Sequence, residues 1–157
     1  MERLFNEVGK TLKPKVRCII SLANRGAGLP DGGLFTPDQF QKPTKAKPLP
    51  GQIPAHGVIE VKPTREDAWL TAEGEQVSRY WGKYRQVLVT NRRDFLLVGQ
   101  DAEGKPAKLE SYRLLPANGS SGKPAPDPVA AVRLQGQEAV HLVFQQDYFR
   151  QGVLDLR

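Results

Sequence analysis

The 157-residue chain has 39% hydrophobic and 25% charged residues, a balance that fits one folded domain burying about two-thirds of its unfolded surface rather than a disordered segment. No apolar run approaches the roughly 18 residues that span a bilayer, and Met1 to Lys10 lacks a signal-peptide apolar core, so a cytoplasmic protein without membrane contact is expected. One cysteine excludes a disulfide framework, two histidines (His56 and His141) argue against a histidine-rich metal site, and the net charge of +6 suits either a polyanionic partner or a solvated basic surface.

In chain order, Leu4, Phe5, Val8 and Leu12 recur at helical spacing and predict a first helix over residues 2 to 13. Val16 to Leu22 is a short apolar run, read as a strand, in which Cys18 is a buried small hydrophobe. The glycines and proline between Asn24 and Gly33 turn the chain and set Asp31 at a strand edge. Residues 36 to 54 hold five prolines and little apolar surface, which predicts an exposed basic loop carrying Lys42, Lys45 and Lys47.

Gly57 to Lys62 is β-branched and alternates, so Glu60 and Lys62 share one face with Val58, while Ile59 and Val61 turn to the core. Pro63 ends the pairing, because it has no N–H to donate. From about Thr71 to Tyr84, Val77, Tyr80, Trp81 and Tyr84 mark an amphipathic helix on which Gln76 and Tyr80 are neighbours one turn apart, with Gly74 weakening its start. Residues 86 to 90 and 94 to 99 read as a hairpin around Asn91-Arg92-Arg93, and 108 to 115 as a further strand. Residues 116 to 128 are rich in Gly, Ser and Pro and read as a loop or linker, followed by a C-terminal extension, 129 to 157, without a clear period.

Hydrolysis of a phosphodiester needs an activated water, neutralised phosphate charge and a stabilised leaving oxygen, and an oxygen-bound Mg²⁺ supplies all three. Mg²⁺ is held by one or two carboxylates with waters and substrate oxygens. Asp31 and Glu60 are the candidate carboxylates. Lys62 on the same face is placed either to orient the water or to meet transition-state charge.

Pro30-Asp31, Glu60-Val61-Lys62 and Gln76 with Tyr80, in that order, resemble the PD-(D/E)xK nuclease signature with the Gln-x-x-x-Tyr helix of its RecB-like branch. The stretches GLPDGGLFTPDQF, HGVIEVK, QVSRYWGKY and VLVTNRRDFLLVGQD, over roughly residues 28 to 101, are similar to the nuclease-like domain at the N-terminus of single-polypeptide restriction-modification proteins of the type ISP or IIG-like kind. In these an N6-adenine DNA methyltransferase follows the nuclease. The resemblance implies a restriction-endonuclease-like α/β core over residues 1 to 115, with a central mixed sheet flanked by helices. It implies that Asp31 and Glu60 ligate Mg²⁺, with Mn²⁺ as a substitute, and that the Val61 carbonyl and Glu7 of the first helix are further metal ligands. Lys62 would be catalytic, with Gln76 and Tyr80 bracing the site or touching DNA.

Taken singly these residues have plainer readings. Glu60 and Lys62 make a surface ion pair, Pro30-Asp31 a turn, Gln76 and Tyr80 a helix surface, and His56 a loop position. Trp69, Trp81 and Tyr84 are core residues before they are base-stacking platforms, and Arg79, Lys83, Arg85, Arg92 and Arg93 line a phosphate groove or face solvent. The ordered set therefore leads to a Mg²⁺-dependent DNA endonuclease domain acting on double-stranded DNA, part of a longer polypeptide with a methyltransferase region. The alternatives are a catalytically silent nuclease-fold module that binds DNA or positions that methyltransferase, and an interaction domain with incidental charge.

Overall fold

The computed structural model describes residues 1–42 and 44–113. The expected linker at 116–128, the extension at 129–157 and the last two residues of the strand expected at 108–115 lie outside the described residues. The order is α1 (Glu2–Gly9), β1 (Arg17–Ile20), β2 (Gly32–Phe35), a 3-10 turn (Pro37–Gln39), β3 (Val58–Val61), α2 (Ala68–Ala72), α3 (Glu75–Tyr84), β4 (Val87–Thr90), β5 (Asp94–Gln100) and β6 (Pro106–Arg113). The chain is α/β: six strands form one mixed sheet in sequential order, antiparallel throughout except for the parallel pair β3–β4. Among the described residues no helix is long and apolar enough to cross a membrane.

Alternation along the strands gives the sheet two apolar faces rather than one. Cys18, Leu34, Ile59, Leu88, Phe95 and Leu97 pack with Phe5 and Val8 of α1. Val58, Val87, Val89, Leu96 and Val98 pack with Val77, Tyr80 and Tyr84 of α3 and Ala68 of α2. The expectation of one buried and one chemical side on β3 is thus corrected, because parallel pairing needs a covering crossover and leaves a strand enclosed on both faces. α1 is locked to β1 by Asn6, whose amide takes both backbone groups of Cys18, at 2.9 and 3.1 Å. Those bonds also occupy part of the outer edge of the sheet. Cys18 is buried as expected, and burial pushes its thiol up to about 12.

Three expected boundaries move. The first helix stops at Gly9 rather than reaching residue 13. The helix expected from Thr71 is two helices, α2 starting earlier on the Asp67 cap and α3 starting after Gly74, where the chain breaks. The 36–54 stretch is exposed at its lysines but is not a free loop. Gln39 is 6% exposed and gathers it, donating to the Ile53 carbonyl at 2.6 Å and accepting from the Ala55 N–H at 3.1 Å. Arg17 adds a second tie, lying over the Phe40 ring and donating to the Lys45 carbonyl. A single buried amide does what apolar composition could not, since a buried polar group is held by the partners it must find.

The β4–β5 turn is built around Asp94, 1% exposed, which pairs with Arg113 and Arg93 and accepts from the Asn91 amide. Arg93 thus has a structural partner in Asp94 while its side chain stays more than half exposed, at 55%. Burial alone would raise the Asp94 pKa, but the Arg113 and Asn91 bonds outweigh it and hold the carboxyl below its usual value. With the folded pKa depressed, the stabilisation is complete above the unfolded value of about 3.9 and is lost as pH falls through the folded one. Asp94→Asn should cost about 1–3 kcal/mol at neutral pH, with the deficit shrinking toward strong acid, as urea melts at stepped pH will read out. Gly57 opens β3 with φ +82°, and a Cβ there would sit 2.2 Å from the Gln86 carbonyl oxygen. Gly57→Ala should destabilise by about 3 kcal/mol in the same melts, since both the left-handed backbone and the contact oppose it.

Candidate active site

The site forms where β2 begins and β3 ends, under the first turns of α3. Asp31 precedes Gly32, and its backbone N–H donates to the Ile59 carbonyl at 3.1 Å. Its Oδ2 accepts from the Val61 N–H at 2.7 Å. Main chain and side chain of Asp31 are thus both tied to β3 on either side of Glu60. The two glycines that follow pair with β1 and β3 in register, where a Cβ on Gly33 would meet Leu22 and Pro54 at 2.7 Å. Small residues there let the loop before Asp31 close over the sheet.

Glu60 shares the α3 face with Val58, as its spacing predicts, and is 3% exposed. Its Oε1 takes the Lys62 ammonium at 2.7 Å, while Oε2 is buried with no hydrogen-bond partner among the described residues. Burial pushes the Glu60 pKa up; the Lys62 bond and charge oppose this, and the charges of Asp31 and Glu66 add to it. The Lys62 pKa is raised chiefly by its bond to Glu60, so the ammonium stays charged. Lys62 also donates to Gln76 Oε1 at 3.3 Å, and Gln76 Nε2 donates to the Tyr80 hydroxyl at 2.9 Å. Burial raises the Tyr80 pKa, with the Gln76 bond opposing and the Glu60 and Asp31 charges adding, so the phenol remains neutral.

Asp31, Glu60, Val61, Lys62, Gln76 and Tyr80 are thus brought together, by one backbone contact and a chain of side-chain bonds. Glu7 stands apart: α1 packs on the opposite face of the sheet from Glu60, and the Glu7 carboxylate takes the Arg3 guanidinium at 3.1 Å. Trp81 is a packing residue, as its first reading has it, with its indole N–H on the Gly99 carbonyl and the Arg85 guanidinium over its ring. Trp69 likewise packs against the α3-side core, under the Arg113 guanidinium.

Two contributors escaped the sequence reading. Glu66 adds its charge to both Glu60 and Lys62, and the signal for it was an acidic residue four after Lys62 in a turn. Asn91, fully buried, reaches from the β4–β5 turn to the Glu66 carbonyl at 2.7 Å and so fixes the segment that leaves Lys62. Read as a turn residue, Asn91 gave no sign of that contact, 25 residues away in the chain.

Among the described residues no group of three or more His, Cys, Asp or Glu side chains is placed to hold a metal ion by itself. Mg²⁺ does not ask for one, because it keeps waters and substrate oxygens in its shell. The pair present fits that demand: Asp31 beside Glu60, and on Glu60 a buried carboxylate oxygen without a partner. An orphaned anionic oxygen in a buried site is costly unless a cation completes it. No protein-family model, curated protein or solved structure matches this chain.

Because the folded chain holds the Glu60 proton more tightly than the unfolded chain, the metal-free fold loses stability as pH rises through the Glu60 titration. Glu60→Gln removes that loss. The melting temperature of the variant relative to wild type should increase in chelator as pH rises above the unfolded glutamate value of about 4.3, and a flat difference would contradict the assigned burial cost.

Proposed function

We propose that this chain is a Mg²⁺-dependent endonuclease domain that hydrolyses phosphodiesters of double-stranded DNA, as part of a restriction-modification protein. The observation that carries the reading is the buried, unpartnered Glu60 oxygen beside Asp31, with the Lys62 ammonium on the other oxygen of the same carboxylate. The coarse architecture, a mixed sheet with helices on both faces, agrees with the restriction-endonuclease-like core implied by the resemblance.

Asp31 and Glu60 would hold the ion, with the Val61 carbonyl beside them. When bound, Mg²⁺ supplies charge neutralisation at the phosphate and a more acidic water. Lys62 contributes a fixed ammonium next to the attacked phosphate, where it orients the water and offsets developing negative charge. Gln76 and Tyr80 hold that ammonium in place from α3. The net charge of +6 draws the polyanionic substrate to the surface.

Nicking of supercoiled plasmid by the full chain in Mg²⁺ or Mn²⁺ tests this. Cleavage should vanish in chelator and fall by on the order of 10²-fold or more in Lys62→Ala, the scale for removal of one transition-state donor. A folded chain that never cuts refutes the enzyme reading and leaves a silent DNA-binding module attached to a methyltransferase.

A further inference from the structure

A cleft lies next to the candidate active site, sharing with it Ser21, whose N–H donates to the Asp31 carbonyl at 3.2 Å. It holds about 270 Å³ between the end of β1, the 47–54 stretch and the last turn of α3. Ile19, Pro48 and Pro50 line it together with the edges of the buried Phe35 and Tyr84 rings, and Arg25 and Lys47 also line it. Both cations are exposed, and neither has an ion-pair partner among the described residues. An apolar slot the size of a single nucleotide, with two uncommitted cations, suits a group that is flat at one end and anionic at the other.

The chain path ties this cleft to the catalytic carboxylates. The segment that delivers Asp31 also carries Arg25, and between them it passes α3: a Cβ on Gly28 would sit 3.3 Å from the edge of the Tyr80 ring, and one on Gly26 would sit 3.8 Å from the Lys83 ammonium. Tyr84 is one helical turn beyond Tyr80, about 6 Å of rise, with the two rings edge to face at 6.5 Å between centroids. Lys83 stands beside this path at Gly26, and Arg25 and Lys47 stand at the cleft. Arg25 is close enough for its charge to act on the Tyr84 hydroxyl.

We propose that this cleft binds one unstacked nucleotide of the DNA substrate, its base against Pro48 and Pro50 and its phosphate on Arg25 and Lys47. The inference rests on the nuclease reading and deepens it: the substrate strand is locally unpaired next to the cut. Extrusion of a base costs least where pairing is already weak, so a duplex with a mismatched or unpaired position beside the cut is the favoured form.

The test uses the full chain in chelator and a short single-stranded oligonucleotide carrying one 2-aminopurine, whose fluorescence reports unstacking. Wild type should bind it with a fluorescence change. Arg25→Ala/Lys47→Ala should bind roughly tenfold or more weakly, with a shallower salt dependence, while melting like wild type. Ala23→Trp, at an exposed lining position, should block the fluorescence change by filling the cleft. A double variant that binds as wild type does, or a wild type that gives no binding, overturns the assignment. Plasmid nicking by the same preparation reports the nuclease reading separately. Failure of the cleft in a chain that cuts leaves the nuclease standing, and binding through Arg25 and Lys47 in a chain that does not cut leaves the cleft standing as a single-strand site.

Discussion

The parallel pairing of β3 with β4 is the constraint from which the candidate site follows. Two parallel neighbours cannot be joined by a tight turn; the chain must leave one end of the sheet and return to the other. Here that return is made by the segment from Lys62 through α2 and α3, so a helix is laid across the face on which Glu60 projects. The crossover thereby sets Gln76 and Tyr80 above Lys62. Had β4 paired antiparallel with β3, no helix would be required there, and Glu60 would face water as an ordinary strand residue.

Enclosure under α3 explains the electrostatics. A carboxylate among Val58, Val89 and Tyr80 loses its hydration, and one ammonium replaces only half of it, at Oε1. The folded protein keeps a group that its own packing disfavours. Such local cost is the usual mark of a site built for a ligand, because the same burial that penalises the free carboxylate strengthens its attraction for a cation. Asp94 makes the contrast within one molecule. It is as deeply buried, but it is bonded on both oxygens and its pKa moves down, so it serves the β4–β5 turn and asks for nothing further.

How much of this was legible in the sequence depended on range. Alternation in Gly57 to Lys62 placed Glu60 and Lys62 on one face, and the four-residue spacing of Gln76 and Tyr80 placed them on one helix turn, because both relations follow from local geometry. The hairpin around Asn91 was equally visible. The second buried face of β3 was not, since a strand with a charged residue every second position reads as half-exposed unless its parallel partner is known. Nor was the break at Gly74, where propensity marked a weak point but not whether the chain would take it. Gln39, Asn91 and Asp94 were opaque for a common reason: each acts through contacts across the fold, and a polar residue in a turn has the same local signature whether it meets water or a buried carbonyl. Glu7 shows the reverse failure, where a role carried over by resemblance met a helix packed on the other face.

The order of bonds in the site also constrains what each residue can be. Lys62 has three protons; Glu60 takes one and Gln76 Oε1 another, which leaves one uncommitted. Gln76 accepts from Lys62 through its oxygen and donates to Tyr80 through its nitrogen, so the amide is oriented from both ends and the Tyr80 hydroxyl keeps its own proton to give. A glutamate at position 76 would fit the same space. It would, however, bring a third negative charge against Glu60 and Asp31, bind the lysine more firmly and raise the Glu60 pKa further, moving the carboxylate away from the ionised form that a cation requires. A neutral amide holds the ammonium through its oxygen and the Tyr80 hydroxyl through its nitrogen without adding charge beside Glu60.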